Sequence, residues 1–458
     1  MPPTTASLWR DKNFLLFYIG RTISVIGSLV TTVVLPILAF QLTGNALQTA
    51  LLTALEVVPY LFFGLLAGAV ADRVNRRTLM IVCDWINAAL LMSIPIAGWL
   101  GVLTVPQLYV VGLLSATAFV WFDAANFGLL TELVGKDRVY AANNAQWQIN
   151  IITSILVPAV GGVLVALIGA ASTITLDAAS YVISAITLML LPRTLGRVLA
   201  PSTQAPGQPA QSSMMQDIRE GLRFIWNHKL VRTLTLLGFG NTVTGGAITG
   251  LTVVYAVRAL GLADDDARIS WLFTANALGA LVASLLLGRA TKRFSVGLIT
   301  LGGMLGNLVS LMALALAPNL WWALVLIAAW QGTYYVIVVN GISVRQIVAP
   351  AHMQGRVNTT ARMIAWGGTP FGAAIGGALA EVLDVRMAMM IMACGVALGL
   401  VFGWLSDLRH QPKLRIEVGL TRLRIAHRAN SGSTMCDIDL QAGWCRSWAK
   451  ENSVRSVA

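Results

Sequence analysis

The chain is predicted to be an all-α integral membrane protein of twelve transmembrane helices in two pseudo-symmetric six-helix bundles. Three observations predict this. Its 458 residues are 56% hydrophobic and only 11% charged, whereas soluble domains carry about 25% charged residues. A water-soluble fold of that composition would expose broad apolar patches. Second, apolar runs of the roughly 18 or more residues needed to cross a bilayer recur along most of the chain. They are too long and too weakly alternating for barrel strands. Third, landmarks repeat at near-constant spacing. Arg76-Arg77 matches Lys292-Arg293 at an offset of 216, Gly161-Gly162 matches Gly376-Gly377 at 215, and Asn144 matches Asn358 at 214. Such parallel halves recur in alternating-access transporters.

The elements follow in order. The first bundle is assigned to 1–192, with spans near 13–41, 48–71, 78–101, 106–132, 141–168 and 171–192. A linker at 193–230 holds the Pro/Ser/Gln-rich stretch Pro201–Ser213. After it, Met214–Lys229 has apolar residues at helical spacing (Met215, Ile218, Leu222, Ile225), which predicts an amphipathic helix on the membrane surface. The second bundle is assigned to 231–406, with spans near 231–257, 269–290, 295–317, 320–346, 354–380 and 386–406. A polar, basic tail occupies 407–458; lipid contact and disorder both suit it. No cleavable signal peptide is expected, because the first hydrophobic stretch reads as a span.

Net charge is +12. Basic residues sit between spans, so the expected partner is the bilayer and not nucleic acid. With the N-terminus in the cytoplasm, 28 of the 32 Lys and Arg fall on the cytoplasmic side, and only Arg258, Arg268 and Arg386 fall outside. This asymmetry predicts a multi-pass protein of the bacterial cytoplasmic membrane with both termini inside. Cys83 and Cys394 lie in apolar spans, and Cys436 and Cys445 lie in the tail without metal-ligand spacing. His228, His352, His410 and His427 are scattered near cytoplasmic ends, where solvation is expected.

Between spans two and three lies Gly68-Ala-Val-Ala-Asp72-Arg73-Val-Asn75-Arg76-Arg77. Gly68 permits close helix approach. Asp72 can accept from a helix N-terminus, and Arg73, Arg76 and Arg77 can bridge carboxylates of neighbouring helices. The stretch therefore reads as a conformational latch, or as a basic loop that only sets topology. It resembles the major facilitator signature G-x-x-x-D-R-x-G-R-R. Asn75 replaces the usual glycine and tolerates a left-handed turn. The second-half counterpart, Ser284 to Arg293, keeps basic residues and lacks the acid.

Trp121 to Arg138 with Asn143-Asn144, the Arg21–Gly27 stretch, Leu176-Asp177-Ala-Ala-Ser180 and Met353–Asn358 are similar to the branch containing the enterobactin exporter and macrolide efflux pumps. The likeness spans about 8–406. It implies the major facilitator fold, with spans one, four, seven and ten lining a cavity. Thr153 to Gly162 looks like the antiporter motif of span five, with Pro158, Gly161 and Gly162 kept and two glycines replaced by Thr153 and Val157. Its proline can kink the helix; close packing without any bearing on direction is the alternative.

Ionisable residues within spans are costly in lipid, about 2.5–3.5 kcal/mol at the centre. The first half has Arg21, Glu56, Asp84, Asp123 and Asp177; the second has almost none. At about 1.5 Å per residue, Arg21 and Asp123 share a depth. Arg21 is expected to pair with Asp123 or Glu56, and one of these carboxyls to carry a coupling proton; a static ion pair is the alternative. Asp84 and Asp177 read as structural. In the second half Asn241, Trp330, Gln331 and Tyr334 suit contact with an amphiphilic substrate, or ordinary helix packing.

No phosphate-binding loop, metal-ligand cluster or nucleophile motif appears, so neither an enzyme nor a cofactor is expected. The expected activity is proton-coupled efflux of a small amphiphilic compound, drug- or siderophore-like, by a monomer. The same fold serves importers and lipid transporters, and a receptor or scaffold without transport is the rival of another class.

Overall fold

The computed structural model describes residues 8–71, 73–135, 137–196, 214–350 and 353–410. Asp72, Pro201–Ser213, His352, and the tail beyond His410 with His427, Cys436 and Cys445 lie outside these residues.

The first bundle comprises α1 (Lys12–Thr43), α2 (Ala46–Ala71), α3 (Arg76–Trp99), α4 (Val105–Val134), α5 (Val139–Ile168) and α6 (Ala170–Leu190). The linker carries α7 (Met214–Asn227). The second bundle comprises α8 (Lys229–Val254), α9 (Ile269–Arg293), α10 (Val296–Ala315), α11 (Leu320–Val348), α12 (Gln354–Trp366), α13 (Gly368–Val382) and α14 (Val385–Leu405). Side chains define the helix starts. Asp11 caps α1 by accepting from the backbone N–H groups of Asn13 and Phe14, and Ser295 caps α10 by accepting from Leu298. Asn75 corrects the expected left-handed turn: its φ is −65° and ψ 110°, and its side chain caps α3 by accepting from Thr78 at 2.9 Å.

Among the described residues, ten helices are long and apolar enough to cross a membrane. The other two expected spans have local reasons to differ. Asn241, Thr242, Thr244 and the Gly245-Gly246 pair dilute the hydropathy of α8, which continues into a π-helical turn at Tyr255–Ala259. The eleventh span breaks at Gly367 into α12 and α13. The Thr242 hydroxyl donates to the Ala365 carbonyl beside the break, so the interrupted backbone is satisfied inside the protein.

Small residues set the closest helix contacts. Gly20 faces Thr187, and Gly27 faces Asp177 and Ser180, which brings α1 against α6. Gly372 lies on the Val243 backbone and Gly246 on that of Thr369, which brings α8 against α13. The linker helix α7 is amphipathic as expected, and Ile225 is buried with Val231, Val357 and Ala361 where α7 docks on α12 of the second bundle. His228, expected in solvent, caps α8: its Nδ1 accepts from the Val231 N–H, and it stacks on Phe224.

Candidate functional site: the cleft between the bundles

The two bundles meet along two seams, α2 against α8 and α13, and α5 against α9. Both seams are tight at one end. Gly377 and Gly250 pack on Ala50 of α2, and Gly162 packs on Ala267 and Ser270 at the start of α9. Around them runs a cross-bundle hydrogen-bond cluster. Arg258 donates from Nη2 to the Gly44 carbonyl (2.6 Å) and to Glu381 Oε2 (3.1 Å), and from Nη1 to the Ala380 carbonyl (3.2 Å). Glu381 Oε2 also accepts from the Ala46 N–H (2.8 Å), and Gln41 donates to the Asp264 carbonyl (3.2 Å).

Towards the other end the seams part. On α2, Tyr60 still meets the Trp366 ring, with centroids 5.7 Å apart. Beyond it, a side chain added at Gly64 or Gly68 would meet nothing within 4 Å. Between α5 and α9 the separation is a cavity of about 330 Å³, lined from both bundles by Thr32, Trp147, Pro158, Asn276, Gln331 and Tyr335 among others. Its walls mix aromatic faces with a few amide and hydroxyl groups, the chemistry that fits an amphiphilic small molecule.

Beside this cleft sits a charged group centred on Arg21. Its guanidinium lies 4.9 Å from the Phe122 ring centroid and 5.7 Å from that of Phe119, a cation–π arrangement. Among the described residues Arg21 forms no ion pair with Asp123 or Glu56, which corrects the expected direct pairing; the aromatic faces of α4 hold it instead. Its charge still acts on Asp123 and on Asp84, and Arg362 of α12 acts on Asp123 from the opposite bundle. Asp123 is therefore within electrostatic reach of two cations, one from each half. Glu56 is half-buried, and among the described residues it forms no ion pair. Asp84 is fully buried with neither carboxylate oxygen hydrogen-bonded. Asp177 accepts from Thr31 (2.5 Å) and Ser180 (3.1 Å) inside the first bundle.

Further sequence assignments need correction. Gly68 abuts no neighbouring helix here, because it lies on the parted end of α2. Among the described residues Arg77 bridges no carboxylate; it donates to the Leu188 and Met189 carbonyls and so caps the end of α6. Arg76 lies against Gly128 of α4, and Arg73 is exposed. Gln331 lines the cleft. Trp330, the adjacent residue, is only 1% exposed and points into the second bundle. Asn241 also misses the cleft; it lines a separate 220 Å³ pocket with residues of α10 and α14. Tyr334 packs on Gly245 and on the Trp330 ring. Pro158 lines the cleft, Gly161 faces Val30 of α1, and Gly162 faces the other bundle.

Sequence reasoning missed Arg258, Glu381, Arg345 and Arg362. Arg362 had a usable signal, a charge inside the span assigned to 354–380. Arg345 is buried within α11, and its Nε has no partner among the described residues. Arg258 and Glu381 carried none, because both sit at helix ends where charge is ordinary.

Comparison with known proteins agrees with this architecture. The profile of a family described as transmembrane secretion effector matches 4–438. The multidrug efflux pump Tap of Mycobacterium tuberculosis is 26% identical over 419 residues, covering 87% of this chain and 94% of that protein. The enterobactin exporter EntS of Salmonella typhi is 25% identical over 410 residues, with the same coverages. Among solved structures, a bacterial homologue of the human lysosomal transporter Spinster, inward-facing, aligns with a TM-score of 0.68 at 16% identity, covering 89% of this chain and 98% of that one. A bacterial homologue of ferroportin, also inward-facing, aligns with a TM-score of 0.67 at 14% identity, covering 85% and 97%.

Proposed function

The chain belongs to the transmembrane secretion effector family of major facilitator transporters, and on that premise we propose that it exports a small amphiphilic compound in exchange for protons. It works by alternating access as a monomer in the bacterial cytoplasmic membrane, with both termini inside. One observation carries the reading: a cleft sealed at one end by Arg258 and Glu381 and parted at the other, with Asp123 within electrostatic reach of Arg21 and Arg362.

The positive-inside asymmetry supports an outer position for the sealed end, which holds the α1–α2 turn, and a cytoplasmic position for the parted end, which holds the basic Arg73–Arg77 loop. Asp123 is the group whose charge matters to both halves. When it is ionised, it attracts Arg362 across the cleft. Proton binding removes that attraction and frees the halves to rearrange. A proton thereby shifts the conformational equilibrium by its differential effect on the two states. The efflux direction draws support from the names of the similar proteins Tap and EntS.

The test is transport by purified protein in proteoliposomes under an imposed pH gradient, with a panel of hydrophobic drugs and catecholate chelators. Proton-linked movement of at least one class, lost in Asp123→Asn, is expected. Proton-driven transport that survives both Asp123→Asn and Glu56→Gln sinks the coupling proposal, and absence of any flux across the panel sinks the export proposal.

A further inference from the structure

A second cavity lies away from the cleft. It is a groove of about 800 Å³ on the outer face of the second bundle, walled by α9 and α10 and floored by α11. It exists because α9 and α10 each pack on α11 and touch each other little. Small residues form the floor and one wall, including Ala329, Gly332 and Gly302. Large residues such as Leu286, Phe294 and Leu298 form the rims. The one hydroxyl in the lining, Thr333, is turned back onto the carbonyls of Ala329 and Trp330. The lining thus offers an occupant no free hydrogen-bonding group.

Along α9 the groove runs from Leu278 to Phe294, about 24 Å at 1.5 Å per residue. That exceeds one leaflet of a hydrocarbon core roughly 30 Å thick. At the Phe294 end stand Arg289, Lys292 and Arg293, all exposed and, among the described residues, in no ion pair with an acidic side chain. Arg289 follows Leu286 by three positions and Arg293 follows Ala290 by three, so both share the helix face that lines the groove.

We propose that this groove binds one anionic phospholipid, with an acyl chain between α9 and α10 and the phosphate at Arg289, Lys292 and Arg293. The apolar lining selects a hydrocarbon chain, the groove is long enough for a chain that crosses one leaflet, and the three cations select a negative headgroup. The basic stretch matching Arg76-Arg77 in the second half thereby gains a role of its own, lipid recognition in place of a latch.

The experiment is native mass spectrometry of the full chain, purified in detergent and exposed to equal mixtures of palmitoyl-oleoyl phosphatidylglycerol and phosphatidylcholine. Wild type retains one phosphatidylglycerol in preference to phosphatidylcholine. Neutralising Arg289, Lys292 and Arg293 to Gln lowers that preference by about tenfold or more. Gly302→Phe fills the groove, since a side chain there meets no neighbour within 4 Å, and abolishes retention of either lipid. Ala329→Trp serves as a second filling variant should the first not fold. The proposal is overturned by undiminished retention in a folded filling variant, by a preference that survives neutralisation, or by a groove-dependent dimer of this chain.

Discussion

Arg258 and Glu381 both belong to the second bundle, yet together they clasp the first: the guanidinium reaches the Gly44 carbonyl at 2.6 Å and the carboxylate accepts from Ala46 N–H at 2.8 Å. The pair itself is 3.1 Å apart. Each side chain thus holds the other in position while binding the backbone of the α1–α2 turn. Loss of either charge loosens the seal between the halves.

Arg258→Ala or Glu381→Gln is expected to shift the chain away from the state sealed at this end. The side chains are 31% and 35% exposed, so solvent screening limits each effect to about 1 kcal/mol, roughly fivefold in population. Spin labels on either side of the seal, read as a distance distribution, should show a larger separated fraction. An unchanged distribution would remove these residues from the closure.

The glycine pairs divide their work. Gly161 and Gly376 face helices of their own bundle, whereas Gly162 and Gly377 face the other one. Gly161→Ala should be near neutral, because the new methyl would sit 3.9 Å from Val30. Gly162→Ala places a methyl 2.6 Å from the Ala267 carbonyl, so the α5–α9 seam must spread. Transport by Gly162→Ala is expected to fall at least about tenfold with the melting temperature little changed; equal activity in the two variants would refute the division.

Asp177 is expected to matter for stability. Asp177→Ala removes acceptors from Thr31 and Ser180 deep in the first bundle, costing about 2 kcal/mol. Thermal unfolding in detergent should show a lowered midpoint, with Asp123→Asn close to wild type. The reverse order would assign the structural role to Asp123.

His228 gives the fold a mild acid sensitivity. Burial holds its pKa below the ordinary histidine value, and its Nδ1 must stay unprotonated to accept from Val231. The unfolded chain therefore takes up the proton first as pH falls. The stabilisation is complete above the ordinary value near 6.5 and is lost as pH drops towards the folded one. Its size is small, because the ring is half-exposed. The wild-type melting temperature should fall between pH 7.5 and 5.5 by more than that of His228→Asn, a substitution that keeps the cap; equal falls would exclude it.

Much of the architecture was legible in the sequence because membrane insertion is read from composition and length. Runs of apolar residues marked most of the spans, and the repeat offsets marked the two halves. The interrupted eleventh span was not legible: Gly367-Gly368 resembles any other glycine pair until Thr242 is seen to reach the Ala365 carbonyl. At the site, the ionisable residues of the first half were found, since each one stands out against an apolar run. Their partners were not, because Arg21 is held by Phe119 and Phe122, and aromatic residues are unremarkable within a span.

By itself the sequence determined that the chain is helical, membrane-spanning, duplicated and a major facilitator protein, because periodicity, hydropathy and motif spacing are local properties. Only the tertiary structure decided which face each helix turns to the cleft. Adjacent residues differ by about 100° around a helix, so Gln331 meets the cavity while Trp330 is buried, and Gly162 touches the opposite bundle while Gly161 does not. Helix rotation is set by packing against neighbours distant in sequence, and no local pattern encodes it.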